Sequence, residues 1–72
     1  MQIPMKKKLN PIQSKILIAL IKNGDFMTTA QVAKDSEISW NTALNYLNIF
    51  YEWEWVEKAG DVTIYWRAIL QE

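Results

Sequence analysis

Apolar residues recur at helical spacing in three successive segments, and then the period falls to two. In the first segment Asn10 suits an N-cap and Pro11 the first helical position. Ile12, Ile16, Ala19 and Leu20 then form a core stripe, and Asn23-Gly24 supplies residues that tolerate the positive φ of a helix end. In the second segment Thr28 and Gln31 make a capping-box pattern, with Met27 and Val32 spaced as a hydrophobic staple. This helix is expected to run through Ala33 to residue 35 or 36. A short turn, Ser36-Glu37-Ile38, leads to Ser39, the expected cap of a third helix from residue 40 to about 53. Its inner face carries Ala43, Leu47 and Phe50, with Tyr46 beside them. Residues 55–59 and 62–68 are rich in β-branched and aromatic side chains, and Gly60-Asp61 between them predicts a β-hairpin. On its second strand Ile64, Trp66 and Ala68 share one face, and Thr63, Tyr65 and Arg67 the other. The fold class is therefore mainly α, three helices followed by a β-hairpin. One domain spans residues 10–70, preceded by a flexible basic arm at 1–9.

The outer face of the third helix is unusual. At about 100° per residue, Asn41, Asn45 and Asn48 fall within one narrow arc. Asparagine is a poor helix former because its amide competes for backbone hydrogen bonds, so three of them weaken the helix without serving the core. An amide donates and accepts at once and matches the N6/N7 edge of adenine in the DNA major groove. The stripe alone leaves that reading level with a merely solvated face.

Composition narrows the choice. The chain has 72 residues, half of them hydrophobic, with four tryptophans, so a small core is feasible. It has no cysteine, which excludes disulfides and thiolate metal sites and fits a cytoplasmic location. It has no histidine, the commonest general base. With no Gly-rich phosphate loop and no metal-ligand spacing, neither an enzyme nor a cofactor is expected, and no small-molecule ligand is evident. The longest apolar run, residues 16–21, is far short of the roughly 20 residues a membrane helix needs. Lys6, Lys7 and Lys8 are not followed by the apolar region of a signal peptide. Net charge is zero, but residues 1–34 hold six lysines against one acid, while residues 35–72 hold two basic residues against seven acids. Such a molecule docks by its basic end.

The stretches "TTAQVAKDSEISWNTALNYL" and "WVEKAGDVTIYWRA" resemble the winged helix-turn-helix family of transcription regulators. Ala33 stands at the family's small residue, Ile38 and Ser39 at its hydrophobic turn residue and cap, and Ala43 and Leu47 on the inner face of the second motif helix. Trp55-Val56-Glu57 matches the entry to the wing. Glu37 and Glu54 stand where the family often carries glycine, and the third helix lacks the Arg or Lys usual in a recognition helix.

The resemblance implies a regulator that binds double-stranded DNA, with the third helix in the major groove. Asn41 and Asn45 are the expected base readers, Asn48 next, flanked by Trp40 and Leu44. Ser39 and Thr42 would meet phosphate at the helix N-terminus, although capping is the equal alternative for Ser39. Lys34, Lys58, Arg67 and, on the arm, Lys6, Lys7 and Lys8 would supply phosphate neutralisation, although a solubilising tail is the alternative for the arm. The first helix also has a second apolar strip, Leu17, Ile18 and Ile21, from which a homodimer is expected, with Trp53 as a further contact. The alternative is a winged-helix protein-interaction module, favoured by the acidic second half.

Overall fold

The computed structural model describes residues 9–69, so residues 1–8 of the expected arm and the domain's last expected residue, 70, lie outside the described residues. Leu9, assigned above to the arm, packs on the core instead. The elements follow in the order α1 (Pro11–Asn23), β1 (Met27–Thr28), α2 (Thr29–Ser36), α3 (Trp40–Glu52), β2 (Val56–Gly60) and β3 (Ile64–Ala68). No helix among the described residues is long and apolar enough to cross a membrane.

Each helix starts where a side chain satisfies its orphan N–H groups. The Gln13 amide N–H donates to Asn10 Oδ1 at 2.7 Å and the Asn10 N–H to Gln13 Oε1 at 2.9 Å, closing a capping box. Thr28 and Gln31 close a second box, with backbone bonds of 3.0 and 3.1 Å. Ser39 caps α3 by accepting from the Thr42 N–H at 3.2 Å. Gly24 ends α1 in the left-handed region at φ 74°.

The ends of α2 and α3 repeat one device. After α2, Glu37 takes φ 59°, and the Ile38 N–H reaches back to the Ala33 carbonyl at 3.0 Å. After α3, Glu54 takes φ 64°, and the Trp55 N–H reaches the Phe50 carbonyl at 2.9 Å. Both are Schellman turns, which return the chain sharply toward the core. In the second, the Phe50 and Trp55 rings stack at 5.6 Å, supplying the apolar contact that accompanies this motif. The two left-handed positions that glycine commonly fills in the resembling family are thus built here with glutamate.

The sheet has three antiparallel strands in the order β1-β3-β2. Met27 pairs with Trp66, and Lys58 faces Trp66 from the other side. The hairpin differs from expectation at its tip. Gly60 stays in the ladder opposite Ile64, and the turn is Asp61-Val62-Thr63. Gly60 takes φ 105°, and a Cβ there would overlap the Thr63 carbonyl oxygen. Strand β1 was not predicted.

Ile16, Leu20, Val32, Ala43, Leu47, Phe50, Trp55, Val56 and Trp66 form the centre of the core between the three helices and the inner face of the hairpin. Burying each large apolar side chain contributes roughly 1.5–3 kcal/mol. Leu17 corrects the sequence reading. Only 3% of it is exposed, so it belongs to the core and not to an outer strip of α1.

Candidate nucleic-acid interface

The inward face of α3 is fixed by Ala43, Leu47 and Phe50, all fully buried. Helical periodicity then turns Asn41, Asn45 and Asn48 outward, and all three are exposed. None of their amides is hydrogen-bonded among the described residues, so their donors and acceptors face solvent. Glu52 continues this face at its C-terminal end, exposed.

One flank of the stripe belongs to the wing. Trp40, half exposed, and Leu44, partly buried, line a groove with Val62, Thr63 and Ile64 of the hairpin and the start of α2. Further along, the Lys58 ammonium lies 4.5 Å from the Tyr51 ring centroid and 5.6 Å from that of Trp66. Lys58 is thereby held beside α3, one turn beyond Asn48. Tyr46 lies on the opposite flank, where the Asn10 amide donates to its hydroxyl at 3.1 Å.

The other predicted contacts divide. Lys34 is exposed in the last turn of α2 and forms no ion pair among the described residues. Ser39 Oγ accepts from the Thr42 N–H and donates to Thr42 Oγ1 at 2.8 Å, so its proton is committed to the cap and Thr42 keeps the free hydroxyl proton. Arg67 has partners within the fold. Its guanidinium donates to Glu57 at 2.9 and 2.7 Å, lies 4.0 Å from Asp25 and covers the Phe26 ring at 4.4 Å. It also projects from the face of β3 opposite Trp66, away from Lys58. Two carboxylates and a ring occupy it, so it is not placed with the phosphate contacts.

The expected dimer residues divide as well. Ile18 and Ile21 are 56% and 52% exposed on α1. Trp53 is only partly exposed, and its ring packs within the chain, 5.7 Å from Phe50 and 4.9 Å from Trp55. Sequence reasoning missed the anchoring of α2 to the sheet, where the buried Trp66 Nε1–H donates to Thr29 Oγ1 at 2.8 Å. It also missed the Asn10–Tyr46 bond, which joins positions 36 residues apart and leaves no local signal.

Neither a family model nor a curated protein matches the chain. Solved structures do. The structure of wild-type Lactococcus lactis ZitR in complex with DNA superposes with a TM-score of 0.72 at 21% identity, over 94% of this chain and 48% of that one. A mutant ZitR, also in complex with DNA, gives 0.66 at 19% identity, over 94% and 51%. The chain therefore spans about half the length of the proteins it superposes on. Identity this low shows the fold alone: three helices and a β-wing, a winged helix.

Proposed function

We propose that this chain binds double-stranded DNA sequence-specifically and acts as a small transcriptional regulator, repressor-like, reading the major groove with α3. The observation that carries the proposal is the face of three exposed, unpartnered amides, Asn41, Asn45 and Asn48, on the helix in the recognition position of a winged helix. The likeness to ZitR in complex with DNA supports it. Asn41 and Asn45 read adenine edges, and Asn48 follows them. Trp40 and Leu44 offer apolar contact to thymine methyls beside the stripe. Thr42 takes a phosphate near the α3 N-terminus, with Ser39 holding the cap in place. Lys34 and Lys58 neutralise phosphates on either side. A second copy docks on the Ile18–Ile21 face of α1, so that two α3 helices meet one dyad-symmetric site.

One observation favours the alternative, a protein-interaction module. Residues 9–69 carry five basic side chains against seven acidic ones, a balance of −2. The two readings separate in one titration of the protein into a random duplex library at low and moderate salt, with sequencing of the retained duplexes. Enrichment of A-containing sites is expected. A bidentate Asn–adenine pair is worth about 1–3 kcal/mol, so Asn41→Ala and Asn45→Ala should each weaken the selected site roughly 5- to 150-fold. No retention even at low salt overturns the DNA reading and favours the protein-interaction module.

A further inference from the structure

Between α1 and the end of α2 runs a cleft of about 570 Å³, within the range of roughly 300–1,000 Å³ that small ligands occupy. Ile18, Ala19 and Lys22 form its α1 wall, and Asp35 and Ser36 its α2 wall. The proposed DNA interface uses none of them. Ser36 is only 1% exposed, and among the described residues its hydroxyl is the one buried side-chain polar atom without a hydrogen-bond partner. A hydroxyl taken out of water and left unpartnered is costly, so such groups are normally matched from within the fold or by what occupies the space beside them.

The charges of the cleft narrow what that occupant is. Lys15 and Glu37 bridge the two walls at one point, 4.0 Å apart. Lys22 and Asp35 do not. Both are exposed, both line the same cleft, and neither forms an ion pair among the described residues. The cleft therefore presents a cation and an anion held apart, beside the apolar surface of Ile18 and Ala19. Asp35 and Ser36 also lie in the last turn of α2, where the helix dipole favours positive charge. A purely anionic ligand would leave Asp35 unmatched, and a purely cationic one would leave Lys22 unmatched. A zwitterion with an apolar body matches both.

We propose that this cleft binds a free α-amino acid with an apolar side chain. Its ammonium donates to the Asp35 carboxylate and to Ser36 Oγ, its carboxylate accepts from the Lys22 ammonium, and its side chain covers Ile18 and Ala19. The sequence carries no ligand motif for this site because the cleft is assembled only when α1 and α2 pack together. The inference concerns the chain by itself and goes beyond the DNA reading, which can fail without it. Ile18 also belongs to the α1 face on which a second copy is proposed to dock, so the test leaves it unchanged.

The experiment titrates the full chain by calorimetry and by amide NMR with three probes: L-leucine, L-leucinamide, which lacks the carboxylate, and N-acetyl-L-leucine, which lacks the ammonium. L-leucine is expected to bind with a Kd of about 1 mM or below, within the reach of so small a ligand. Each blocked analogue should bind about tenfold more weakly or worse, because it loses a charge-assisted hydrogen bond. Lys22→Met should then bind L-leucine and L-leucinamide alike, and Asp35→Asn should bind L-leucine and N-acetyl-L-leucine alike. Ser36→Ala should weaken L-leucine binding about threefold or more without loss of thermal stability, since the hydroxyl it removes has no partner in the fold. Amide shifts should centre on residues 18–23 and 35–37. The absence of heat and shifts up to about 20 mM L-leucine overturns the inference. So does equal binding of all three probes to the parent chain, which would be apolar attraction alone. Unaltered discrimination in Lys22→Met and Asp35→Asn, parent-like affinity in Ser36→Ala, or shifts centred elsewhere overturn it as well.

Discussion

Glu37 and Glu54 are the non-glycine residues at positive φ among the described residues, at 59° and 64°. An L-residue there holds its Cβ against the following carbonyl at a cost of about 1–2 kcal/mol. Glycine removes that cost but gains freedom in the unfolded chain, which offsets part of the gain. Glu37→Gly and Glu54→Gly should therefore each stabilise the domain by about 0.5–1 kcal/mol, raising the melting temperature by a few degrees (about 4–8 °C per kcal/mol at this size). Loss of the 4.0 Å pair between Lys15 and Glu37 offsets little, because both side chains are more than half exposed and screened. Thermal and urea unfolding of the two variants measures this directly; a fall in stability would show that these carboxylates support the turns. The same positions mark how far single residues were legible. The cap residues Asn10, Thr28 and Ser39 announce themselves because their side chains act within three residues. A left-handed glutamate does not, because nothing in its chemistry asks for that conformation. The Arg67–Glu57 pair is hidden for a related reason: the two residues lie directly across the ladder, and only the register of the strands shows it.

Elements were legible in proportion to the length of their periodic pattern. The two 13-residue helices α1 and α3 repeat their apolar stripe over several turns, whereas β1, with two residues, has no period to detect. Yet β1 places the wing. It pairs Met27 and Thr28 with Trp66 and Tyr65 and so joins the start of α2 to the edge of the hairpin. The buried bond from Trp66 Nε1–H to Thr29 Oγ1 ties the same two elements together. Thr29→Val keeps the side-chain shape but strands the indole N–H in the core. A buried donor left unpaired costs about 1–3 kcal/mol, so the midpoint of urea unfolding should fall accordingly, while Thr29→Ser, which keeps the hydroxyl, should lose less. Equal losses in both variants would mean that the methyl group, and not the hydrogen bond, holds α2 to the sheet. The hairpin tip shifted from expectation because Gly60, read as part of the turn, remains in register opposite Ile64.

At the scale of the whole molecule, α1 has two faces with different fates. Ile16, Leu17 and Leu20 close the core, while Ile18 and Ile21 project outward, each about half exposed, with Lys15 and Lys22 alongside. A core this small gains little by leaving two isoleucines on one helix in water, and such a patch is met most simply by a second copy of the chain about a two-fold axis. Such a dimer presents two α3 helices to sites about one DNA turn apart, roughly 34 Å. Ile18→Asp with Ile21→Asp removes the apolar contact from an exposed face and should leave the helical circular dichroism and melting behaviour close to those of the parent chain. Sedimentation velocity at micromolar concentration should then show a dimer for the parent chain and a monomer for the variant. On DNA the variant should lose its preference for dyad-symmetric over single half-sites, while Asn41→Ala still weakens each half-site. A parent chain that sediments as a monomer at those concentrations rejects the α1 dimer, and the selected sites should then show no dyad.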